Sequence, residues 1–252
     1  MNSRQLETIA PWAVGIGFFV LWEGIVRIFR IETFVLPAPS AAISAIWAVK
    51  EIAAIHALQS LWTALAGFAI AVIVGLFLGG LVGYSRLAYA AFYPLLVGFN
   101  SVPKAALVPV LAIYLGIGTV PAIIIAFLIS FFPIVANVAT GLATVEPELQ
   151  DVLRSLGANK FEIFWKVGLP RCMPYFFASL KVAVTLAFVG VIIAEIGGSN
   201  AGVGYMMTSA SASFRYDLVF GGLLMLSAMG IALYAVFAVL ERNLTGWAYR
   251  GK

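Results

Sequence analysis

The sequence predicts an all-α polytopic membrane protein of about six spans. Two observations carry this. Of the 252 residues 63% are hydrophobic and only 10% are charged, against roughly 25% charged in an ordinary soluble domain. The apolar residues also fall in long blocks interrupted by short polar stretches, the pattern of helices that cross a hydrocarbon core.

The first block, Pro11 to Phe29, is expected to form span one and to stay in place. It outruns a signal-peptide core, and no small-x-small cleavage site follows closely. Glu23 and Arg27, four apart, suit an interfacial pair on one helical face. LPAPSAAISAIWAVKEI (36–52) then predicts a short amphipathic helix at the outer interface, with Ser40 as N-cap.

Span two is expected over Ala57 to Tyr84. Gly67, Ala71, Gly75, Gly79 and Gly83 recur every fourth residue and leave one helical face nearly bare. In lipid such a face serves close helix packing. His56, just before the span, suits an interfacial residue. Residues 1–56 are taken as a peripheral unit and 57–252 as the core.

Tyr89 to Gly116 is too long and too proline-broken for one helix. A short helix, a bend at Pro103 and a spanning piece to Gly116 are expected, with Asn100, Ser101 and Lys104 at the break. Irregular backbone at membrane depth lines a cavity or is buried in protein. Lys104 is therefore either a pathway cation or a group snorkelling or bonded to helix-end carbonyls. Span four covers Val120 to Leu142 and holds Ser130 and Asn137. Span five covers Tyr175 to Ile196 and ends on Glu195. A Gly/Ser-rich connection (197–217) leads to span six, Leu218 to Leu240. Asn100, Ser101, Lys104, Ser130, Asn137 and Glu195 are the candidate pathway residues.

Six spans put both termini on one side. Taking that side as cytoplasmic, the inside segments hold ten basic residues (Arg4, Arg86, Arg154, Lys160, Lys166, Arg171, Lys181, Arg242, Arg250 and Lys252) and the outside four (Arg27, Arg30, Lys50 and Arg215). Ten against four fits the positive-inside rule. The same dispersal between apolar blocks argues against a nucleic-acid surface. Cys172, alone, excludes an intrachain disulfide and suits a structural thiol.

The longest inside loop, residues 146–174, mixes charge, Asn, Gly and Pro with a periodic apolar pattern. Glu146-Pro147-Glu148 predicts a helix start running to Leu156, and Gly157 supplies the left-handed residue that stops it. Asn159, with Glu162 three residues on, predicts a capping box for a second helix. Phe161, Phe164 and Trp165 form one exposed aromatic face, and Leu169-Pro170 ends the element. Such a hairpin either docks on a cytosolic partner or lies on lipid.

The register of this loop carries a resemblance. Asp151-Val152-Leu153, then Gly157, then Val167-x-Leu169-Pro170 resembles the EAA motif of binding-protein-dependent ATP-binding-cassette importer permeases: Glu-Ala-Ala, three residues, Gly, nine residues, Ile, one residue, Leu-Pro. Gly157, Leu169 and Pro170 match. Asp151 stands for the Glu, Val167 for the Ile, and Val152 and Leu153 for the two alanines. LPAPS, SVPKAALVPVLAIYLGIG, RSLGANKFEIFWKVGLP and AEIGGSNAGVGY look like the branch that handles nitrate, sulfonates, taurine or pyrimidine-type precursors.

The resemblance implies a type I importer permease fold with cytoplasmic coupling helices in the bacterial inner membrane. It implies a homodimeric permease, two copies of a cytosolic ATPase that holds ATP and Mg, and a periplasmic or lipid-anchored binding protein that delivers the solute. Asp151, Gly157, Ala158, Phe161, Phe164, Trp165, Leu169 and Pro170 would then form the ATPase-coupling element. No cofactor or metal is expected on this chain, and it is not expected to be an enzyme. It carries no G-x-x-x-x-G-K-[ST] loop. The rival, a secondary transporter or channel acting without an ATPase, would need intramembrane acids or His, of which the mid-span regions offer almost none.

Overall fold

The computed structural model describes residues 3–144 and 147–245. They fold as helices in the order α1 (Ser3–Ile28), α2 (Pro39–Ala48), α3 (Lys50–Gly83), α4 (Arg86–Asn100), a 3-10 turn (Lys104–Ala106), α5 (Leu107–Leu115), α6 (Thr119–Ala143), α7 (Pro147–Ser155), α8 (Lys160–Ile163), a π-helical turn (Phe164–Gly168), α9 (Leu169–Gly198), α10 (Val203–Ala212) and α11 (Tyr216–Thr245). No strand occurs among the described residues. Ile9–Ile28 of α1, together with α3, α6, α11 and the apolar stretch Phe161–Ala212 that contains α9, are long and apolar enough to cross a membrane. The pair α4 and Lys104–Leu115, bent by 58°, makes a broken sixth.

That broken pair departs from the expected arrangement. α5 has 9 residues, a rise of roughly 14 Å, so it cannot cross a core of about 30 Å alone. Pro103 has no backbone donor and sits at the break, and Gly116 at φ +80° stops α5. The crossing is thus shared between two half-helices. α3 also begins at Lys50 rather than Ala57, which places His56 inside the helix.

Ser40 is not the N-cap of α2. Ala38 holds that position without a side-chain cap. The carboxylate of Glu23 on α1 instead accepts the Ser40 N–H at 3.0 Å and its hydroxyl at 2.7 Å, while Arg27 pairs with Glu23 at 2.6 Å. The Glu23–Arg27 pair is therefore a tie between α1 and α2 rather than a free interfacial pair.

α6 is the centre of the bundle. Half of its apolar window is buried, against 6% for α1 and for α11, so α6 sits between α3 and α9 while α1 and α11 face outward. Gly67, Gly75, Gly79 and Gly83 run along α6 in constant register. A Cβ at Gly75 would come within 2.8 Å of Ile134, one at Gly79 within 2.7 Å of Val138, and one at Gly83 within 2.8 Å of Leu142, while one at Gly67 would lie 2.8 Å from the carbonyl of Ile123. Ala71 is fully buried in the same seam. Numbers rise together along the two helices, so α3 and α6 are parallel. Gly190 of α9 closes on Ala126 from the other side, at 3.1 Å, and α9 runs antiparallel to both. Bare faces bring backbones together, which is how helices gain contact where lipid supplies no hydrophobic drive. Phe68, Phe131, Ile134, Val135, Val184, Phe188 and Val191 fill the remaining core.

Candidate functional site

The polar segment between α6 and α9 is a helix-turn-helix built by its own caps. Its first residue of interest, Glu146, lies outside the described residues. α7 opens on Pro147, and Asp151 pairs with Arg154 at 3.0 Å on its exposed face. Gly157 adopts φ +86°. Its N–H donates to the Arg154 carbonyl at 2.9 Å, and the Ala158 N–H to the Leu153 carbonyl at 3.0 Å. These two bonds are the paired 5→2 and 6→1 contacts of a Schellman ending. Asn159 Oδ1 accepts the Glu162 N–H and Glu162 Oε2 accepts the Asn159 N–H, each at 2.9 Å, a closed capping box for α8. Val152 points outward, 55% exposed, so its extra volume over alanine needs no room in a packed seam.

The aromatic residues divide. Phe161 and Trp165 are 68% and 53% exposed and meet edge-on at 6.2 Å. Phe164 turns inward against the core beside Tyr84, so the expected single exposed face of three rings is two exposed rings and one anchor. Leu169-Pro170 does not end the element either. Pro170 has no N–H to give, and the chain passes this point through the π turn, in which the Leu169 N–H donates to the Phe164 carbonyl. α8 therefore continues through that turn into α9, and any displacement of the exposed rings acts on a spanning helix.

The polar residues at membrane depth fall into three separate places. At the α4–α5 break, Asn100 and Ser101 are exposed while Lys104 is buried. The Lys104 ammonium donates to the carbonyls of Phe99 and Asn100 and to Asn100 Oδ1. Three donors meet three acceptors, so this lysine closes the C-terminus of α4. On α6, the Ser130 hydroxyl donates to the Ala126 carbonyl at 2.7 Å, and Asn137 Nδ2 to the Pro133 carbonyl at 2.8 Å. Both are bonded within their own helix.

Glu195 shares no hydrogen bond with these and lies 3% exposed near the end of α9. The hydroxyl of Ser60 on α3 donates to its two oxygens at 2.7 and 2.9 Å, and the Gly204 N–H donates to Oε2 at 2.9 Å. Ser60 Oγ accepts the Val203 N–H at 2.9 Å, and His56 Nδ1 accepts the Gly202 N–H at 3.1 Å. The first N–H groups of α10 are thus capped by side chains of α3 and α9. His56 is a capping group here rather than a free interfacial residue. Ser60 escaped notice in the sequence, although a carboxylate closing an apolar helix requires a partner. The same signal applies to Lys181 and Glu241, which form an ion pair between α9 and α11. Among the described residues no cluster of His, Cys, Asp or Glu could hold a metal ion.

Residues 71–246 match the family model described as binding-protein-dependent transport system inner membrane component. The chain belongs to this family. It is 27% identical over 246 residues to a formylaminopyrimidine transport permease protein of Halalkalibacterium halodurans, covering 97% of this chain and 98% of that one. It is 28% identical to an aliphatic sulfonates transport permease protein of Bacillus subtilis, covering 92% and 85%. In fold it is similar to a chain of the MetNI methionine ABC transporter in an inward-facing conformation, with a TM-score of 0.68, 18% identity, and 77% and 97% of the two chains covered. This permease therefore has the type I importer fold and is a multi-pass membrane component of an ATP-driven importer, a transport subunit and not an enzyme class of its own. Membership implies an ATPase partner, a substrate-binding protein and a paired permease.

Proposed function

We propose that the permease works as a homodimer, that each copy seats α7 and α8 in one ATPase subunit, and that the solute passes between the copies. ATP and Mg belong to the two ATPase subunits. Both termini and the docking element face the cytoplasm, and the chain lies in the bacterial inner membrane with α1, in residues 1–56, at the lipid-facing edge of the 57–252 core. The observation that carries this reading is the pair of exposed rings, Phe161 and Trp165, on a capped helix that continues into α9. Exposed aromatic anchors on a rigid element are what a protein socket recognises.

Closure of the ATPase dimer on ATP would bring the two docking elements together and tilt α9, opening the dimer to the side where the binding protein delivers. Asn100 and Ser101, exposed at the α4–α5 break, are the pathway candidates: Asn100 offers its amide NH2, and Ser101, whose hydroxyl donates to the Val97 carbonyl at 3.1 Å, offers an acceptor. Lys104 supplies no anion site, because its ammonium protons are taken up by α4. The solutes named for the relatives are aliphatic sulfonates and a formylaminopyrimidine, and selection among such small solutes is assigned to the binding protein. The test is uptake into proteoliposomes holding the permease and binding protein, with and without the ATPase. Uptake of labelled aliphatic sulfonate or aminopyrimidine only when ATPase and ATP are present is expected. Equal uptake without the ATPase would instead make the chain a secondary transporter or channel.

A further inference from the structure

α10 has no cap of its own. Gly202 holds its N-cap position and offers no side chain, and the first three N–H groups are met instead by His56, Ser60 and Glu195 from two spanning helices. A helix start needs such partners, and their usual source is a Ser, Thr, Asp or Asn side chain at the N-cap itself. Placing the acceptor on α9 makes the start of α10 conditional on where α9 stands.

The fit is closed on all sides. A Cβ at Gly202 would fall on the Glu195 carboxylate, and one at Gly204 would lie 2.7 Å from Glu195 Cβ and 3.0 Å from the Ile192 carbonyl. Both glycines therefore exist to let α10 seat against that carboxylate. Ser60 is fully buried and bonds Glu195 and Val203 at once. Beyond the joint, Met206 and Met207 of α10 pack with Val203 and Ala53, and Met207 fills the space left by Gly222 of α11.

Glu195 lies on the helix that begins at the docking element. From Leu169 to Glu195 is 26 residues along α9, roughly 39 Å of helix rise, so the joint sits at the opposite end of the molecule. We propose that Glu195, through Ser60, is the positioning residue that makes α3, α9 and α10 one moving body, so that displacement at Phe161 and Trp165 is delivered to α10. This rests on the docking reading given under Proposed function. The hydrogen bonds at 2.7 to 2.9 Å weaken steeply with small displacements. They hold α10 to α9 only while the three helices shift together.

The experiment uses the complete transporter in proteoliposomes, with Cys172→Ala as background and spin labels at Ser209→Cys on the exposed side of α10. The distance between labels in the two copies is measured without nucleotide and after trapping with ATP and vanadate. The background protein is expected to show a distance change on trapping. Glu195→Leu should lose most of it and Ser60→Ala a smaller part, with trapping still complete. Glu195→Gln, whose amide oxygen can still accept from the Gly204 N–H and the Ser60 hydroxyl, should restore most of it. A merely structural cap would lower thermal stability and leave the distance change as in the background. A full change in Glu195→Leu and Ser60→Ala overturns the proposal. If the docking reading is what fails, the Phe161→Ala/Trp165→Ala protein will still trap nucleotide and still show the change.

Discussion

Lys181 on α9 and Glu241 on α11 form an ion pair, with side chains 20% and 12% exposed and the ammonium 6.0 Å from the centre of the Tyr234 ring. α9 and α11 run antiparallel there, so the pair ties the docking half of α9 to the end of the last spanning helix. Removing one partner of a mostly buried pair is strongly destabilising, by about 3 kcal/mol or more. Lys181→Met or Glu241→Leu alone is expected to lower the thermal unfolding midpoint in detergent markedly. The double change should recover much of the loss. Additive losses in the double variant would show that the two charges do not stabilise each other.

The split among the aromatic residues separates docking from folding. Phe161 and Trp165 face outward, whereas Phe164 packs against the core. Truncating an interface anchor typically costs about 2 kcal/mol, or roughly 30-fold in affinity. Phe161→Ala and Trp165→Ala should therefore weaken ATPase binding by that order while leaving permease stability unchanged. Phe164→Ala should do the reverse first, lowering stability by about 3 kcal/mol through a core cavity. Titration of the ATPase onto detergent-solubilised permease, alongside thermal melts, distinguishes them.

Much of this was legible in the sequence because local rules decide it. The Schellman ending at Gly157 and the capping box from Asn159 to Glu162 depend on neighbours within six residues, and both formed as the residue types require. The glycine spacing on α3 marked a close-packed face, but nothing in its period said that α6 would be the partner. Trans-caps were invisible for the same reason. Glu23 reaches Ser40 and Glu195 reaches Ser60 across 17 and 135 residues, so only the packed bundle brings them together. The π turn also lay beyond a local reading. Pro170 predicts an interruption, yet whether a helix ends or absorbs a missing donor depends on what holds it on both sides, here Leu142 and Phe164 around Gly168.

The α3–α6 seam has no room for added atoms. A Cβ at Gly75 would sit 2.8 Å from two carbon atoms of Ile134, and one at Gly79 2.7 Å from Val138. Such insertions cost about 1–3 kcal/mol each by forcing neighbours off their rotamers. Gly75→Leu should reduce stability and the yield of folded permease. Gly80→Leu, one residue past Gly79 on the open side with nothing within 4 Å, should leave both unchanged. Equal behaviour of the two variants, in thermal melts at matched detergent, would show that the seam repacks freely.

Gly157 poses the opposite problem to Gly75. No atom lies within 4 Å of where its Cβ would be, but its φ of +86° belongs to the left-handed region. The cost of substitution is therefore conformational, and it scales with side-chain branching rather than with volume. Gly157→Asn, a residue tolerated in that region, should keep the Ala158 and Gly157 hydrogen bonds and retain uptake. Gly157→Val should cost about 1–2 kcal/mol locally and break the angle between α7 and α8. With the exposed rings then misdirected and the spanning helices intact, ATP hydrolysis should proceed without matching uptake. The measurement is ATP hydrolysed per solute carried in proteoliposomes, with membrane abundance checked in parallel. Normal uptake by Gly157→Val at normal abundance would remove α7–α8 from the coupling path.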